Sequence, residues 1–270
     1  MTDQPLALGV DCGTSGLRLA LADAAGHVVA EEEAPYPRPF EQPEGWREGL
    51  IALVQRLNPD LRVRVGAMAV DGTSGTLLLC RPDGSLANGV LGRALPYCLA
   101  CPEQAQAAAA LTAEPNASPS AGTPAASASG SLARALRLLA AADPVGKGKG
   151  HTPWLLRHQA DWLMGWLLRH WRWGEEGNNL RLGWLLEEQR WAGTMAEQPW
   201  APALPQIVPS GAVLGPLDQD SARELGLPED CRVVAGSTDA NAAVLAADPG
   251  PGDGITVLGT TLVLKRFCAG

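Results

Sequence analysis

The chain has 270 residues, of which 46% are hydrophobic and 19% are charged, a balance typical of a globular protein with a substantial core. Its net charge of −8 and sequence pI near 5.0 argue against a nucleic-acid groove, which needs a basic face. The sequence begins without a cationic targeting segment and has no apolar run long enough to span a membrane. We therefore expect a cytoplasmic protein with neither nucleic-acid nor membrane partners.

The first 81 residues predict five short strands and one helix. The predicted strands cover residues 6–11, 17–23, 27–33, 62–70 and 75–81. The helix is predicted over residues 43–57, where apolar side chains recur at helical spacing. Because turns of hairpin length join the first three strands, this order predicts an α/β domain that begins with an antiparallel meander.

The middle of the chain predicts helices separated by a long polar loop. Residues 105–130 are rich in Ala, Ser and Pro, so we expect a helix at the Ala-rich beginning and a flexible loop over 119–130. Further helices are predicted at residues 131–142, 154–172 and 180–190. The Gly-Lys-Gly-Lys-Gly run at 146–150 lacks the spacing of a P-loop and predicts a solvated connection.

Tryptophan is concentrated in one part of the chain, since eight of the nine lie between residues 154 and 200. Trp162, Trp166 and Trp173 recur at spacings of four and seven residues, which predicts a buried stripe on a helix. Stacking of one or two of these rings on a sugar is the alternative.

Six cysteines are scattered along the chain, and Cys98 and Cys101 form a CxxC pair. No second pair and no closely following histidine accompanies them. We therefore expect ordinary reduced thiols, with a zinc site or a redox dithiol as the alternative.

The turn between the first two strands combines the groups of a polyphosphate site. It reads Asp11-Cys-Gly-Thr-Ser-Gly-Leu-Arg18. Its glycines let a ligand approach consecutive main-chain N–H groups, and Thr14 and Ser15 add hydroxyl donors. Asp11 is a hard oxygen ligand suited to Mg²⁺, and Arg18 is a cationic fork suited to a terminal phosphate. An ordinary hairpin with favourable turn residues is the alternative.

Later segments repeat this pattern. Residues 233–243 predict an apolar strand that runs into a helix with Asp239 in its first turn, where a carboxylate also serves as a simple cap. Residues 257–264 predict a strand, a Gly-Thr-Thr turn and another strand. Two phosphate-type hairpins far apart in sequence, with an aspartate between them, favour a binding site over chance turn composition. A further near-copy of the first turn, Asp71-Gly-Thr-Ser-Gly75, follows the strand predicted at 62–70.

In this order, the segments resemble carbohydrate kinases of the FGGY family, within the actin-like, ribonuclease H-like ATPases. Asp11-x-Gly-Thr-Ser-x-x-Arg18 is similar to that family's first phosphate motif, and Gly236-Ser-Thr-Asp239 to its catalytic-aspartate segment. Gly259-Thr-Thr261 is similar to its second phosphate motif. Supporting segments are residues 158–163, 178–183 and 204–211, of which the first two are similar to ribulokinases and xylulokinases.

The resemblance covers residues 6–266 and departs from the family pattern in one segment. Where the family carries an acidic or amide residue and an arginine after the tyrosine equivalent to Tyr97, this chain has Cys98-Leu-Ala-Cys101. A polar contact to the sugar is therefore expected to be lost there.

The resemblance implies a ribonuclease H-like (actin-like ATPase) α/β fold with a mixed sheet and flanking helices, and it implies ATP, Mg²⁺ and a small sugar as ligands. The implied nucleotide-binding residues are Asp11, Gly13, Thr14, Ser15, Arg18, Gly259, Thr260 and Thr261. By the same resemblance, Asp11 holds the metal, and Asp239 is the base that accepts the proton of the attacking sugar hydroxyl. The implied sugar-side residues are Asp11, Ser74 and Asp239, with a purely structural turn as the alternative for Ser74.

The function implied is ATP-dependent phosphorylation of a sugar hydroxyl, on a ketopentose such as D-ribulose or D-xylulose. A non-catalytic module that binds a sugar or a partner is the alternative. We expect residues 1–240 to form the sugar- and phosphate-binding domain, and residues 241–270 to begin an ATP-binding domain that is largely absent. A homodimer is left open.

Overall fold

The computed structural model describes residues 4–114, 123–143, 154–248, 250, 252–258 and 262–266. These residues include fourteen strands and eight α-helices. The strands are β1 (Leu6–Cys12), β2 (Leu17–Ala22), β3 (Val28–Ala34), β4 (Val65–Gly72), β5 (Leu77–Cys80), β6 (Leu155–His158), β7 (Trp173–Glu175), β8 (Trp184–Leu185), β9 (Arg190–Trp191), β10 (Gln206–Val208), β11 (Val213–Pro216), β12 (Arg232–Thr238), β13 (Gly254–Leu258) and β14 (Leu262–Arg266). The helices are α1 (Pro43–Arg56), α2 (Pro59–Arg62), α3 (Ala105–Leu111), α4 (Ser131–Ala142), α5 (Gln159–Leu168), α6 (Glu176–Asn179), α7 (Gln219–Leu225) and α8 (Asp239–Ala246).

A central mixed sheet of six strands has the order β11-β12-β4-β1-β2-β3. β4 lies between β1 and β12 and is parallel to both. The pairs β1–β2 and β2–β3 are antiparallel, which confirms the expected opening meander. The pair β11–β12 is antiparallel as well. Since β1, β4 and β12 run in the same direction, their carboxyl ends meet at one edge of the sheet.

The two faces of this sheet differ because side chains alternate along each strand. Along β1, Leu6, Leu8 and Val10 are buried, and the residues between them face the more open side. Helices α1 and α5 pack on the buried face, where Trp46, Leu50 and other apolar side chains fill the core. The open face is left for polar side chains and for α8, which contacts β4 and β12.

A second apolar cluster lies beyond β5. Leu78 and Cys80 of β5 belong to the main core, whereas Leu77 and Leu79 belong to a separate cluster with residues of α3 and α4. β5 is therefore buried on both faces and joins the two cores. It pairs with β6, so that Leu77 lies opposite His158.

The helix predicted over 154–172 is wrong in its extent. The segment contains β6, the ten-residue helix α5 and a reversal at Arg169, which has a left-handed φ of 53°. Trp171 then folds back onto Gly165, where a Cβ would lie 2.2 Å from the indole ring. Trp162 and Trp166 are buried as predicted, but Trp173 belongs to β7 and is partly exposed.

The helix predicted over 180–190 is also wrong. The residues form a turn and the short antiparallel pair β8–β9, preceded by Gly183 with a φ of 119°. Trp184 and Trp191 face each other across this pair with ring centroids 5.4 Å apart. Such cross-strand aromatic contacts favour the hairpin over helical spacing.

Other predicted elements are confirmed. α4 has the predicted bounds, and α3 occupies the Ala-rich beginning of residues 105–130. The predicted loop lies partly outside the described residues, and the Gly-Lys run at 146–150 lies wholly outside them. None of the helices in the described ranges is long and apolar enough to cross a lipid bilayer.

Candidate active site

Three aspartates meet where the parallel strands end. Asp11 of β1 lies directly opposite Asp71 of β4, and Asp239 begins α8 immediately after β12. All three line one cleft of about 630 Å³ on the open face of the sheet. The cleft is also lined by Arg18, by glutamates 31–33 of β3 and by small residues of α8. The sequence-predicted residues Asp11, Arg18 and Asp239 are thus brought together.

The cleft is electrostatically crowded with negative charge. Burial raises the pKa of Asp11, the charge of Asp239 raises it further, and Arg18 opposes both effects. Burial is also the largest cause of the raised pKa of Asp71, which an N–H bond from Ser237 partly offsets. A bound cation would relieve this repulsion.

Asp11 has the chemistry of a Mg²⁺ ligand. Its Oδ1 is buried and has no hydrogen-bond partner in the described part of the chain. Its Oδ2 lies 3.6 Å from Arg18, which also approaches Glu33 at 3.5 Å. No group of three or more potential ligands suited to a metal ion occurs within the described ranges. The Asp11 carboxylate instead fits a Mg²⁺ ion that is held by one or two carboxylates together with phosphate oxygens.

The first Gly-Thr-Ser turn lies beside this cleft. Thr14 and Ser15 are exposed, and Gly16 packs so tightly that a Cβ would lie 2.5 Å from the carbonyl oxygen of Ala34. Ser15 lines a smaller hollow of about 220 Å³ that also contacts Arg18. Gly259, Thr260 and Thr261 lie outside the described residues.

A partly buried set of hydrogen bonds connects the first Gly-Thr-Ser turn, at residues 13–16, to the second, at residues 72–75. Tyr36 Oη donates to the carbonyl oxygen of Gly13 at 2.8 Å and accepts from Gln159 Nε2 at 3.2 Å. Gln159 Oε1 accepts from the main-chain N of Thr73 at 3.0 Å and from its hydroxyl at 2.8 Å. Thr73 also contacts the hydroxyl of Thr76 at 2.6 Å. The two Gly-Thr-Ser turns are therefore held at a fixed separation.

The main chain of the second turn is fixed by two arginines. The buried Arg134 donates to the carbonyl oxygens of Gly75, Tyr97 and Leu99 at 3.0, 3.1 and 2.7 Å. Burial lowers the pKa of Arg134 to about 10. Arg181 Nη1 reaches the carbonyl oxygen of Ser74 at 3.5 Å. The Ser74 hydroxyl has no hydrogen-bond partner among the described residues, and Ser74 does not line the aspartate cleft.

The segment after Tyr97 contains two thiols of different exposure. Cys98 is exposed and Cys101 is buried, and both are free. Arg137 Nη1 lies 3.9 Å from Cys101 Sγ.

Sequence reasoning did not select three residues of this region. Asp71 carried a signal, since it occupies the same place in the second turn motif as Asp11 in the first. Gln159 lies in the segment 158–163 that resembles the family, but that resemblance assigned it no role, and Tyr36 carried no signal. The roles of both depend on contacts between residues 123 positions apart.

No protein-family model matches this sequence. Solved structures of similar fold include a xylulose kinase from Lactobacillus acidophilus, with a TM-score of 0.71 and 16% identity, over 96% of this chain and 54% of that one. Glycerol kinase from Plasmodium falciparum, solved with ADP, has a TM-score of 0.76 and 13% identity, over 97% of this chain and 54% of that one. A carbohydrate kinase from Novosphingobium aromaticivorans has a TM-score of 0.74 and 22% identity, over 97% of this chain and 57% of that one.

These comparisons show that the chain shares the fold of these carbohydrate-kinase structures, with the mixed sheet and flanking helices that were expected. The resemblance to FGGY carbohydrate kinases expected from the motifs is confirmed at the level of the fold. The chain spans about half the length of the solved structures that it matches.

The raised pKa of Asp11 predicts a pH-dependent cost to stability. The native carboxyl keeps its proton to a higher pH than the unfolded one, whose pKa is 3.8, so the free energy of unfolding falls as pH rises above that value. We expect Asp11→Asn to be more stable than the parent near neutral pH and to lose this advantage below the unfolded pKa. Urea unfolding at several pH values measures the difference.

Asp23→Asn is the matched control for this experiment. Hydrogen bonding from the His27 amide lowers the pKa of Asp23, so its charge stabilises the native state and the same substitution should reduce stability near neutral pH. An Asp11→Asn protein no more stable than the parent near neutral pH would contradict the charge-crowding account.

The hydrogen bonds of Tyr36 predict a second effect on stability. Tyr36→Phe leaves the Gly13 carbonyl and the Gln159 amide without this partner, so we expect the free energy of unfolding to fall by about 1–3 kcal/mol. Tyr97→Phe is the control, because the Tyr97 hydroxyl makes no hydrogen bond within the described part of the chain. Equal urea midpoints for the two variants would show that the connection between the turns contributes nothing.

Proposed function

We propose that this chain belongs to an ATP-dependent carbohydrate kinase that phosphorylates a hydroxyl of a ketopentose such as D-ribulose or D-xylulose. The observation that carries this proposal is the meeting of Asp11, Arg18 and Asp239 in one cleft beside a Gly-Thr-Ser turn. The sugar-kinase fold of the chain supports it. A cytoplasmic location, where ATP is present, is consistent with it.

The groups around the first turn suit the binding of a polyphosphate. The exposed hydroxyls of Thr14 and Ser15 and the guanidinium of Arg18 would neutralise and orient the phosphate oxygens. Asp11 would hold Mg²⁺, which supplies charge neutralisation on the transferring phosphoryl group. We assign Gly259, Thr260 and Thr261 to the same task on the strength of their motif alone.

Asp239 is suited to the role of general base. It occupies the first turn of α8 and lines the same cleft as Asp11 and Arg18. Its Oδ1 accepts from the Ala240 amide at 2.7 Å, which fixes the side chain at the cleft wall. From there it would accept the proton of the sugar hydroxyl as that oxygen attacks the phosphoryl group.

The sugar is proposed to lie between Asp239 and the second turn. Asp11 lines the same cleft as Asp239 and would contact sugar as well as metal, and the unpaired hydroxyl of Ser74 would bind one sugar oxygen. The preference for a ketopentose rests on the motifs and on several xylulose kinases among the structurally similar proteins. Glycerol kinase shares the fold, so glycerol belongs in the substrate panel beside D-ribulose and D-xylulose.

We further propose that residues 1–240 form the sugar- and phosphate-binding domain, and that residues 241–270 begin an ATP-binding domain. The second candidate function is a non-catalytic module that binds a sugar without turning over ATP. Calorimetric sugar binding without sugar-dependent ADP release would select this alternative.

Asp239→Asn tests the proposed base. The amide keeps the size of the side chain but cannot accept the proton, so we expect kcat for sugar-dependent ADP release to fall by roughly 10²–10⁴-fold. Sugar affinity and melting temperature should change little. The control is Asp218→Asn, which alters another aspartate at a helix start, where Asp218 accepts from the Asp220 amide. Near-parental turnover by Asp239→Asn would remove this residue from the mechanism.

Ser74→Ala tests the proposed sugar contact. Loss of one neutral hydrogen bond should weaken sugar binding by about 0.5–1.5 kcal/mol, seen as a raised sugar KM with an unchanged KM for ATP. Ser85→Ala is the control, since the Ser85 hydroxyl donates to Asp83 within the same exposed turn. An unaltered sugar KM in Ser74→Ala would leave the second turn with a structural role only.

A further inference from the structure

β12 contains a bulge directly opposite Asp71. Ala235 pairs with Val70 and Thr238 pairs with Gly72, so two residues of β12, Gly236 and Ser237, face the single residue Asp71 of β4. Bulges leave main-chain groups outside the ladder, bend the strand and redirect the side chains that follow. Here the residue that follows the strand is Asp239.

The bulge brings β12 very close to β4. A Cβ on Gly236 would lie 2.1 Å from the carbonyl oxygen of Val70 and 2.8 Å from Asp71 Oδ1. Only glycine permits this approach, because any other residue would push the strands apart at the point where the cleft begins.

Side chains satisfy both main-chain polar groups of Ser237. Its N–H donates to Asp71 Oδ1, in place of the ladder bond that the bulge removes. Its carbonyl oxygen accepts from Asn178 Nδ2 at 3.3 Å. The two contacts come from different elements on different sides of β12. We call Asp71 and Asn178, with the Ser237 peptide groups between them, the bulge clamp.

The Asn178 side of the clamp is anchored in the interior. Asn178 is fully buried, and its Nδ2 also donates to Glu175 Oε2 at 3.0 Å. Glu175 in turn accepts from the main-chain N of Gly177 at 2.6 Å and of Asn178 at 2.8 Å. Asn178 therefore has little freedom to move away from Ser237.

The clamp acts next to the start of α8. Thr238 Oγ1 accepts from the Asn241 amide at 3.1 Å and so caps the helix, and Asp239 follows as the first helical residue. The direction of the strand at Ser237 consequently sets where α8 begins and where the Asp239 carboxylate enters the cleft.

We propose that Asp71 is a positioning residue that fixes the bulge of β12 and thereby aims Asp239 at the reacting hydroxyl. The catalytic part of this inference rests on the proposed function, whereas the clamp itself does not. The rival role is that the Asp71 carboxylate touches the metal or the sugar directly, in which case its negative charge would be required. The two roles differ in what Asp71→Asn should do.

Hydrogen exchange tests the clamp without any assay of activity. In the 270-residue chain, Asp71→Ala should raise the exchange rate of the Ser237 amide by at least about tenfold, because that amide loses its acceptor. Asp71→Asn retains an acceptor oxygen and should keep most of the protection. Asp83→Ala is the matched control, as Asp83 Oδ1 also accepts a main-chain N–H, from Ser85 at 3.0 Å, in a turn outside the cleft. Unchanged protection of Ser237 in Asp71→Ala would overturn the clamp.

Kinetics then test the positioning role. Misplacement of a catalytic group costs on the order of 10²-fold, so Asp71→Ala should lower kcat by about that factor with little change in sugar KM. Asp71→Asn should restore most of kcat. An Asp71→Asn protein that protects the Ser237 amide but is as slow as Asp71→Ala would overturn the positioning role in favour of a required charge.

Two further measurements distinguish a failure of the clamp from a failure to fold and from a failure of the proposed function. If Asp71→Ala fails to fold, Asn178→Ala releases the same bulge from its carbonyl side, and kcat should fall while sugar KM is kept. An unchanged kcat in that variant would count against the clamp. If the parent chain shows no sugar-dependent ADP release, the proposed function fails, and the exchange rates still decide whether Asp71 holds the bulge.

Discussion

The parallel pairing of β4 with β1 on one side and β12 on the other determines where the three aspartates of the cleft lie. Parallel neighbours end at the same edge, and Asp11 and Asp71 occupy directly opposed positions at that edge. β12 adds Asp239 as the chain turns into α8. Three carboxylates are thus brought together by main-chain register rather than by contacts among themselves, which are repulsive.

The rest of the fold compensates for this repulsion. The face of the sheet behind the aspartates is closed by α1 and α5 over a continuous apolar core that includes Trp46 and Trp166. Burial of each aliphatic core side chain, such as Leu50, stabilises a fold by roughly 1.5–3 kcal/mol, and this core offsets the cost of gathering carboxylates in the cleft. A site that binds a metal–polyphosphate complex would need this arrangement, because the negative charges become favourable only with a cation between them.

Much of the fold and of the candidate site could be predicted from the sequence. Where a prediction was wrong or a residue was missed, the reason is physical. Strand alternation, the Ala- and Leu-rich helix α4 and the Gly-Thr-Ser turns have local signals, and they led to Asp11, Arg18 and Asp239. The reversal at Arg169 has no glycine or proline to announce it, so the helix predicted there was too long. Tyr36 and Gln159 act only through contacts between distant segments, and the bulge in β12 depends on pairing with β4. No local pattern encodes these features.

The two Gly-Thr-Ser turns are nearly identical in sequence, yet their surroundings suit different ligands. The first turn keeps Thr14 and Ser15 exposed beside a single arginine, Arg18, which is 65% exposed and able to move toward an anion. At the second turn, Arg134 and Arg181 donate to main-chain carbonyl oxygens, and Arg134 is buried, although its Nη2 has no partner among the described residues. Under the proposed function, a neutral polar ligand would suit this turn better than an anionic one, because the Ser74 hydroxyl has no partner in the described part of the chain and both arginines are held by carbonyl oxygens. Under the proposed function, the same short motif would bind phosphate at one strand end and sugar at the next, according to how its arginines are engaged.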